Sequence, residues 1–224
     1  MAEMTAVLKQ CEDRIEEVLW SLEVPGEIEK ALEAYRAVEV ELLGPSIMLG
    51  EPAYLDQQRV LSYCLMRQGN ILRQMGQPQG AFVLSEREIT AARLSGDGIT
   101  LARSLMSHGT NSIVAGEVKG GLDQIDEARV LFESGDSYDH RQGLGWCWIL
   151  LADIANARLI AKEPVEVIAM ADQALAILTP IENWPGVARA YAARASAYEK
   201  LGDITAAAVD RESQKLYEGK NEKS

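Results

Sequence analysis

Apolar residues recur along this chain at alternating steps of three and four, and no segment alternates at steps of two. Met4, Leu8, Cys11, Ile15, Val18 and Leu22 form one narrow stripe, and Ile28, Leu32, Tyr35, Val38 and Leu42 form a second. Such steps put one apolar stripe on an otherwise charged helix, so residues 1–44 read as a helical hairpin. Pro25 is expected to open the second helix, because a first helical residue needs no N–H, and Gly44-Pro45 to end it. The same periodicity predicts helices over 54–75, 79–94, 98–116, 120–133, 140–160, 164–178, 184–201 and 203–218, divided by short turns containing Gly, Pro or Asp. The breaker-rich stretch Gly44–Pro52 joins the hairpin to the rest, with Ile47, Met48 and Leu49 available to plug an apolar end. About ten antiparallel helices and no strand make the chain all-α. The segment 219–224 reads as a polar, frayed tail.

Small residues carry a second pattern. From Tyr191 the chain offers Ala195, Tyr198, Gly202 and Ala207, at offsets of 4, 7, 11 and 16. Small side chains suit the points where two helices cross closely, a glycine can end the first helix in the left-handed conformation, and Asp203 can cap the second. Leu65, Gly69, Leu72, Gly76 and Ala81 keep every offset, as do Leu105, Gly109, Ser112, Gly116 and Gly121. A further copy begins at Trp148, Ala152 and Ala155 and runs about three residues long before Ala171, Ala174 and Leu175. The small anchors at 69, 109, 152 and 195 are 40, 43 and 43 residues apart, and Ser-Gly-Asp at 95–97 returns at 134–136. This spacing resembles the tetratricopeptide (TPR) repeat, in a long-period form similar to the repeats of bacterial signalling proteins and motor light chains. The resemblance implies an α-α superhelix, a TPR-like solenoid, with four helix pairs over 53–218 behind the hairpin.

Composition narrows the function. The formal charge is −12, which disfavours nucleic acid as a partner. Residues 1–41 hold eleven Asp or Glu against four Lys or Arg, so much of the acidity lies in the hairpin. That hairpin is expected to cap the array with its polar face outward; the alternative is a homodimer made through its stripes. No apolar run approaches the ~18–20 residues of a membrane span, and nothing at the N-terminus reads as a signal peptide, so a cytoplasmic address is expected. Cys11, Cys64 and Cys147 are scattered among apolar neighbours and read as reduced, packed thiols.

No nucleophile–base pair can be nominated, and no enzyme, cofactor or metal is expected. Asp136, Asp139 and His140 lie close in one turn, but Asp at a helix start is more often a cap than a ligand. Gly143-Leu144-Gly145 and Gly120-Gly121 lack the remaining parts of a phosphate loop.

The remaining chemistry is recognition. The resemblance implies a concave groove lined by the first helix of each pair, in which a peptide or helix of a partner protein docks. Carried onto this sequence, its positions include Tyr63, Arg67, Asn70, Arg73, Arg103, Met106, Asn111, Trp146, Asp153, Asn156 and Arg189. An Asn amide both donates and accepts, so it can grip a peptide backbone. An Arg fork suits carboxylates, which suggests a ligand with acidic groups; the alternative is that these arginines pair inside the chain. The family's clamp for chaperone tails has only loose analogues in Asn70 and Arg103, with Lys absent from those places. Trp146 and Trp148 flank Cys147 and are expected to point different ways, one into packing and Trp146 toward the groove. The expectation is therefore a non-catalytic interaction scaffold, with a sensor module for a small ligand or signalling peptide as the alternative.

Overall fold

The computed structural model describes residues 2–44 and 51–221. Ile47, Met48 and Leu49, the expected plug, lie outside the described residues, as does the end of the expected tail. Among the described residues there are ten α-helices and no strand: α1 (Ala2–Val18), α2 (Ile28–Leu43), α3 (Pro52–Gln74), α4 (Pro78–Ser95), α5 (Gly98–Val114), α6 (Val118–Glu133), α7 (Tyr138–Asn156), α8 (Pro164–Leu178), α9 (Trp184–Leu201) and α10 (Ile204–Asn221).

Three boundaries differ from the reading of the sequence. After α1 the chain makes one π-helical turn, Leu19–Glu23, in which the Leu19 and Leu22 carbonyls accept from the backbone N–H groups of Val24 and Glu27. That wide turn consumes the residues expected to start the second helix, so Pro25 lies in the turn with Gly26 (φ 90°) and α2 begins at Ile28. The second difference is at α7, which ends at Asn156, short of residue 160, and leaves a link over 157–163. The third is at the C-terminus, where α10 continues to Asn221 through part of the expected tail. Tyr217, packed on the aromatic cluster of α9, and the Gln214–Glu218 hydrogen bond support that last stretch.

Turn chemistry explains the other ends. Proline takes a first position in α3, α4 and α8, where its missing N–H has no partner to lose. Asp97, Ser137, Asn183 and Asp203 accept from backbone N–H groups of α5, α7, α9 and α10. α3, α5 and α9 close on Gly76, Gly116 and Gly202, each in the left-handed region. The next N–H then reaches back to Leu72, Ser112 or Tyr198 O at 2.8, 2.8 and 3.0 Å, capping an orphan carbonyl.

The chain forms two compact units, Met1–Gln124 and Ile125–Ser224, divided within α6. In the first, the hairpin stripes are buried: Cys11, Ile15, Tyr35, Val38 and Leu42 meet Val60, Leu61, Cys64 and Leu65 of α3 in one cluster. Each fully buried side chain of that size contributes about 1.5–3 kcal/mol relative to exposure. Helix crossings use the small residues as expected. Gly69 of α3 faces the Ala81 carbonyl of α4, and Gly121 of α6 lies against the Gly109 carbonyl of α5. In the second unit Ala152 and Ala155 of α7, Val167 of α8, and Ala193 and Ala197 of α9 share one cluster. Gly143 and Gly145, dismissed as a phosphate loop, admit the Phe132 ring and the Leu178 side chain against α7. No described helix is long and apolar enough to cross a membrane.

Candidate partner-binding face

Arg59, Tyr63 and Arg67 are four residues apart on α3 and therefore share a face. Three carboxylates of the hairpin meet them. Arg59 donates to both Glu12 oxygens at 2.7 and 3.3 Å, and the Tyr63 hydroxyl donates to Glu16 Oε1 at 2.7 Å. Arg67 donates from Nε to Glu23 Oε2 at 3.1 Å and from Nη2 to Glu23 Oε1. The Tyr35 hydroxyl adds a third donor to Glu23 at 2.8 Å. Only 7% of the Glu23 side chain is exposed and 17% of Arg67, so this pair is a packed joint between hairpin and repeat. Burial, reinforced by the carboxylate acceptors, holds both tyrosine hydroxyls well above their ordinary pKa. Tyr63 and Arg67 thus serve the hairpin joint.

Further along α3, Arg73 donates from Nη1 to Asn111 Oδ1 at 3.1 Å and from Nη2 to Asn70 Oδ1. Asn111, 4% exposed, donates from Nδ2 to the Ala81 carbonyl at 3.4 Å. One amide therefore ties α5 to both α3 and α4. Arg73 is half-buried, which holds its pKa below the usual guanidinium value, with Glu88 opposing. Glu88 of α4 is 1% exposed; its Oε2 accepts from the Ser107 hydroxyl at 2.9 Å, and burial pushes its carboxyl up to about 8. Burial thus works against the charged form of Glu88, the Arg73 charge works for it, and the hydrogen-bond acceptors of Arg73 are two neutral amides. Met66, Arg103 and Met106 are half-exposed on the same helices.

In the second unit Arg189 donates to Asp153 Oδ2 at 2.9 Å, and burial raises the Asp153 pKa against the pull of that arginine. Asn156 donates to the Ala193 carbonyl at 2.9 Å and accepts from Lys200 at its backbone and side-chain oxygens. Trp146 and Trp148 are both half-buried against one cluster of Ile149, Ala174, Leu178, Val187 and Ala190. They share a cluster because α8 and α9 both pack on α7.

Arg67, Arg73 and Arg189 thus have acceptors inside the chain; Asn111 and Asn156 staple neighbouring helices together, and Asn70 accepts from Arg73 of its own helix. Reading the sequence missed Glu23, Glu39 and Glu88. Glu39 accepts from Gln68 at 2.7 Å and pairs with Arg87. A signal existed for Glu88: it shares the stripe of Ala81, Ser85, Ile89 and Ala92, so its position was apolar although its side chain was not. At the Asp136 turn, Ser137 Oγ lies 2.7 Å from His140 Nδ1. Among the described residues no cluster of three His, Cys, Asp or Glu is placed to hold a metal.

No family model matches the chain, and none of the curated proteins matches it. Solved structures do match. BtubC (BKLC) from P. vanneervenii superposes with a TM-score of 0.62 at 12% identity, over 98% of this chain and 92% of that one. The nearly identical TPR-like repeats of a Podosopora anserina candidate kinesin light chain give 0.52 at 15% identity, over 97% and 99% of the two chains. A second crystal structure of those repeats gives 0.53 at 15% identity, over 97% and 98%. The chain has the TPR-like all-α repeat fold, as the spacing of its small residues implied.

Proposed function

We propose that the chain is a non-catalytic interaction scaffold that docks a peptide or helical segment of another protein on the α3–α5 face of its first unit. The fold supports the coarse reading, because TPR-like folds generally serve protein interaction. Arg73 carries the finer one. Its guanidinium is half-buried, held in one geometry by two neutral amides, and close to the Glu88 carboxyl, whose pKa burial raises. A fixed fork whose hydrogen-bond acceptors are neutral amides recognises a carboxylate with little ordering cost. Met66 and Met106 supply adaptable apolar contact beside it. The segment bound is therefore one with an acidic side chain next to an apolar one.

Arg73→Gln keeps an amide donor for Asn70 and Asn111 and removes the charge. Affinity capture from the native organism, wild type beside variant, is expected to lose its specific partner at least about tenfold, the value of one charge-assisted hydrogen bond. Helix content by circular dichroism should not change. Equal capture by both proteins would remove Arg73 from the binding face.

The 1–44 hairpin serves as the cap of the array; burial of its apolar stripes in one cluster with α3 supports that role over pairing with a second chain.

A further inference from the structure

The third helix pair departs from its sisters at one turn. α3, α5 and α9 reach their following helices through 75–77, 115–117 and 202–203, whereas α7 reaches α8 through 157–163. The closing bond is conventional: Leu159 N donates to the Ile154 carbonyl at 3.1 Å. The left-handed residue is not. Where the sisters have Gly76, Gly116 and Gly202, this turn has Arg158, at φ 60°. A side chain in that region crowds the following carbonyl, and glycine would relieve it. Strain kept at a position where the sister turns use glycine points to a use for the side chain.

Arg158 borders a cavity of about 560 Å³ that is lined by Leu159, Ile160 and Pro164 and by two further cations, Lys162 and Lys200. The hollow is open to solvent, with Arg158, Leu159, Lys162 and Lys200 exposed, and its volume is in the range of small-ligand sites. Lys162 is already paired with Glu166 at 2.8 Å, and Lys200 holds both Asn156 oxygens at 2.7 and 3.0 Å. Arg158 has no acceptor among the described residues. With Lys162 and Lys200 engaged, Arg158 is the cation at this wall of Leu159, Ile160 and Pro164 to which an anion with an apolar body is complementary. We propose that the cavity beside the α7–α8 link binds a small organic anion, a carboxylate on a short aliphatic body, with Arg158 as its anchor.

Octanoate is the probe, with octylamine and inorganic phosphate as controls, followed by titration calorimetry and by backbone amide shifts. Saturable octanoate binding is expected, with shifts centred on 155–164 and Lys200. Two variants separate charge from backbone. Arg158→Gln keeps the strained backbone and should weaken octanoate at least about tenfold. Arg158→Gly should weaken it equally while raising Tm by about 2–4 °C. The proposal is overturned if octanoate does not saturate, if octylamine or phosphate binds as well, or if either variant keeps wild-type affinity. A lower Tm for Arg158→Gly would also overturn it, since Arg158 would then be a structural residue. Saturable binding of an acidic peptide with shifts at the same residues, where octanoate does not saturate, would overturn it and assign the cavity to a protein partner instead.

Discussion

Glu88 is a carboxyl placed where a leucine would fit. It is 1% exposed, one oxygen accepts from Ser107, and Oε1 has no partner among the described residues. The unfolded chain releases this proton near 4.5 and the folded chain near 8, so between those values the folded state holds the extra proton. Stability contributed by that proton is complete below about pH 4.5 and is lost progressively as pH rises through 8. Glu88→Gln copies the protonated acid, so it should match wild type near pH 5 and exceed it by roughly 5 °C in Tm at pH 9. Thermal melts over that range check this, and parallel curves would show that Glu88 is ionised throughout. Residue type misled here and position did not. The same holds for Asn111, nominated because an amide both donates and accepts. That property fits a peptide backbone, and it fits a neighbouring helix equally well. A one-dimensional pattern cannot separate the two, because the choice depends on how far α3 lies from α5.

At the scale of elements, the small residues that revealed the repeat do not all perform the same task. A Cβ on Gly69 would sit 3.9 Å from the Ala81 carbonyl, an ordinary contact. A Cβ on Gly121 would collide with the Gly109 carbonyl and with Ile113. Gly69→Ala is therefore expected to be neutral or to stabilise by up to about 1 kcal/mol, the helix propensity difference. Gly121→Ala is expected to cost about 1–3 kcal/mol net, because backbone cannot give way as a side chain can. Urea unfolding of both variants decides the point; equal effects would mean that the two crossings are equally close. Helix number and order were legible because apolar steps and turn residues are local. The π-helical turn and the displaced Pro25 were not, since a shift from four-residue to five-residue bonding leaves the apolar stripe nearly unchanged. The long α7–α8 link was visible as three surplus residues, yet the substitution of Arg158 for glycine acquires meaning only from its φ.

The molecule as a whole joins an acidic hairpin to a repeat whose first helix carries the matching cations. Glu12, Glu16 and Glu23 take donors from Arg59, Tyr63 and Arg67, and Arg14 pairs with Glu41 inside the hairpin. The charge run that composition located in residues 1–41 is thus partly a docking surface for α3, which a count of charges could not reveal. A variant lacking residues 1–44 exposes Val60, Leu61, Cys64 and Leu65 and leaves Arg67 without Glu23. It is expected to elute as aggregates, with the cooperative melt of the first unit lost. A monodisperse variant with wild-type melting would sever the hairpin from the stability of the repeats. One more consequence comes from the sulfur atoms. Cys11, Cys64 and Cys147 are all fully covered, and burial raises every thiol, the latter two to about 12. A maleimide dye would therefore ignore the folded chain and mark only a cysteine engineered onto its surface. The native three become clocks: alkylation followed by mass spectrometry times the opening of the first unit through Cys11 and Cys64, and of the second through Cys147.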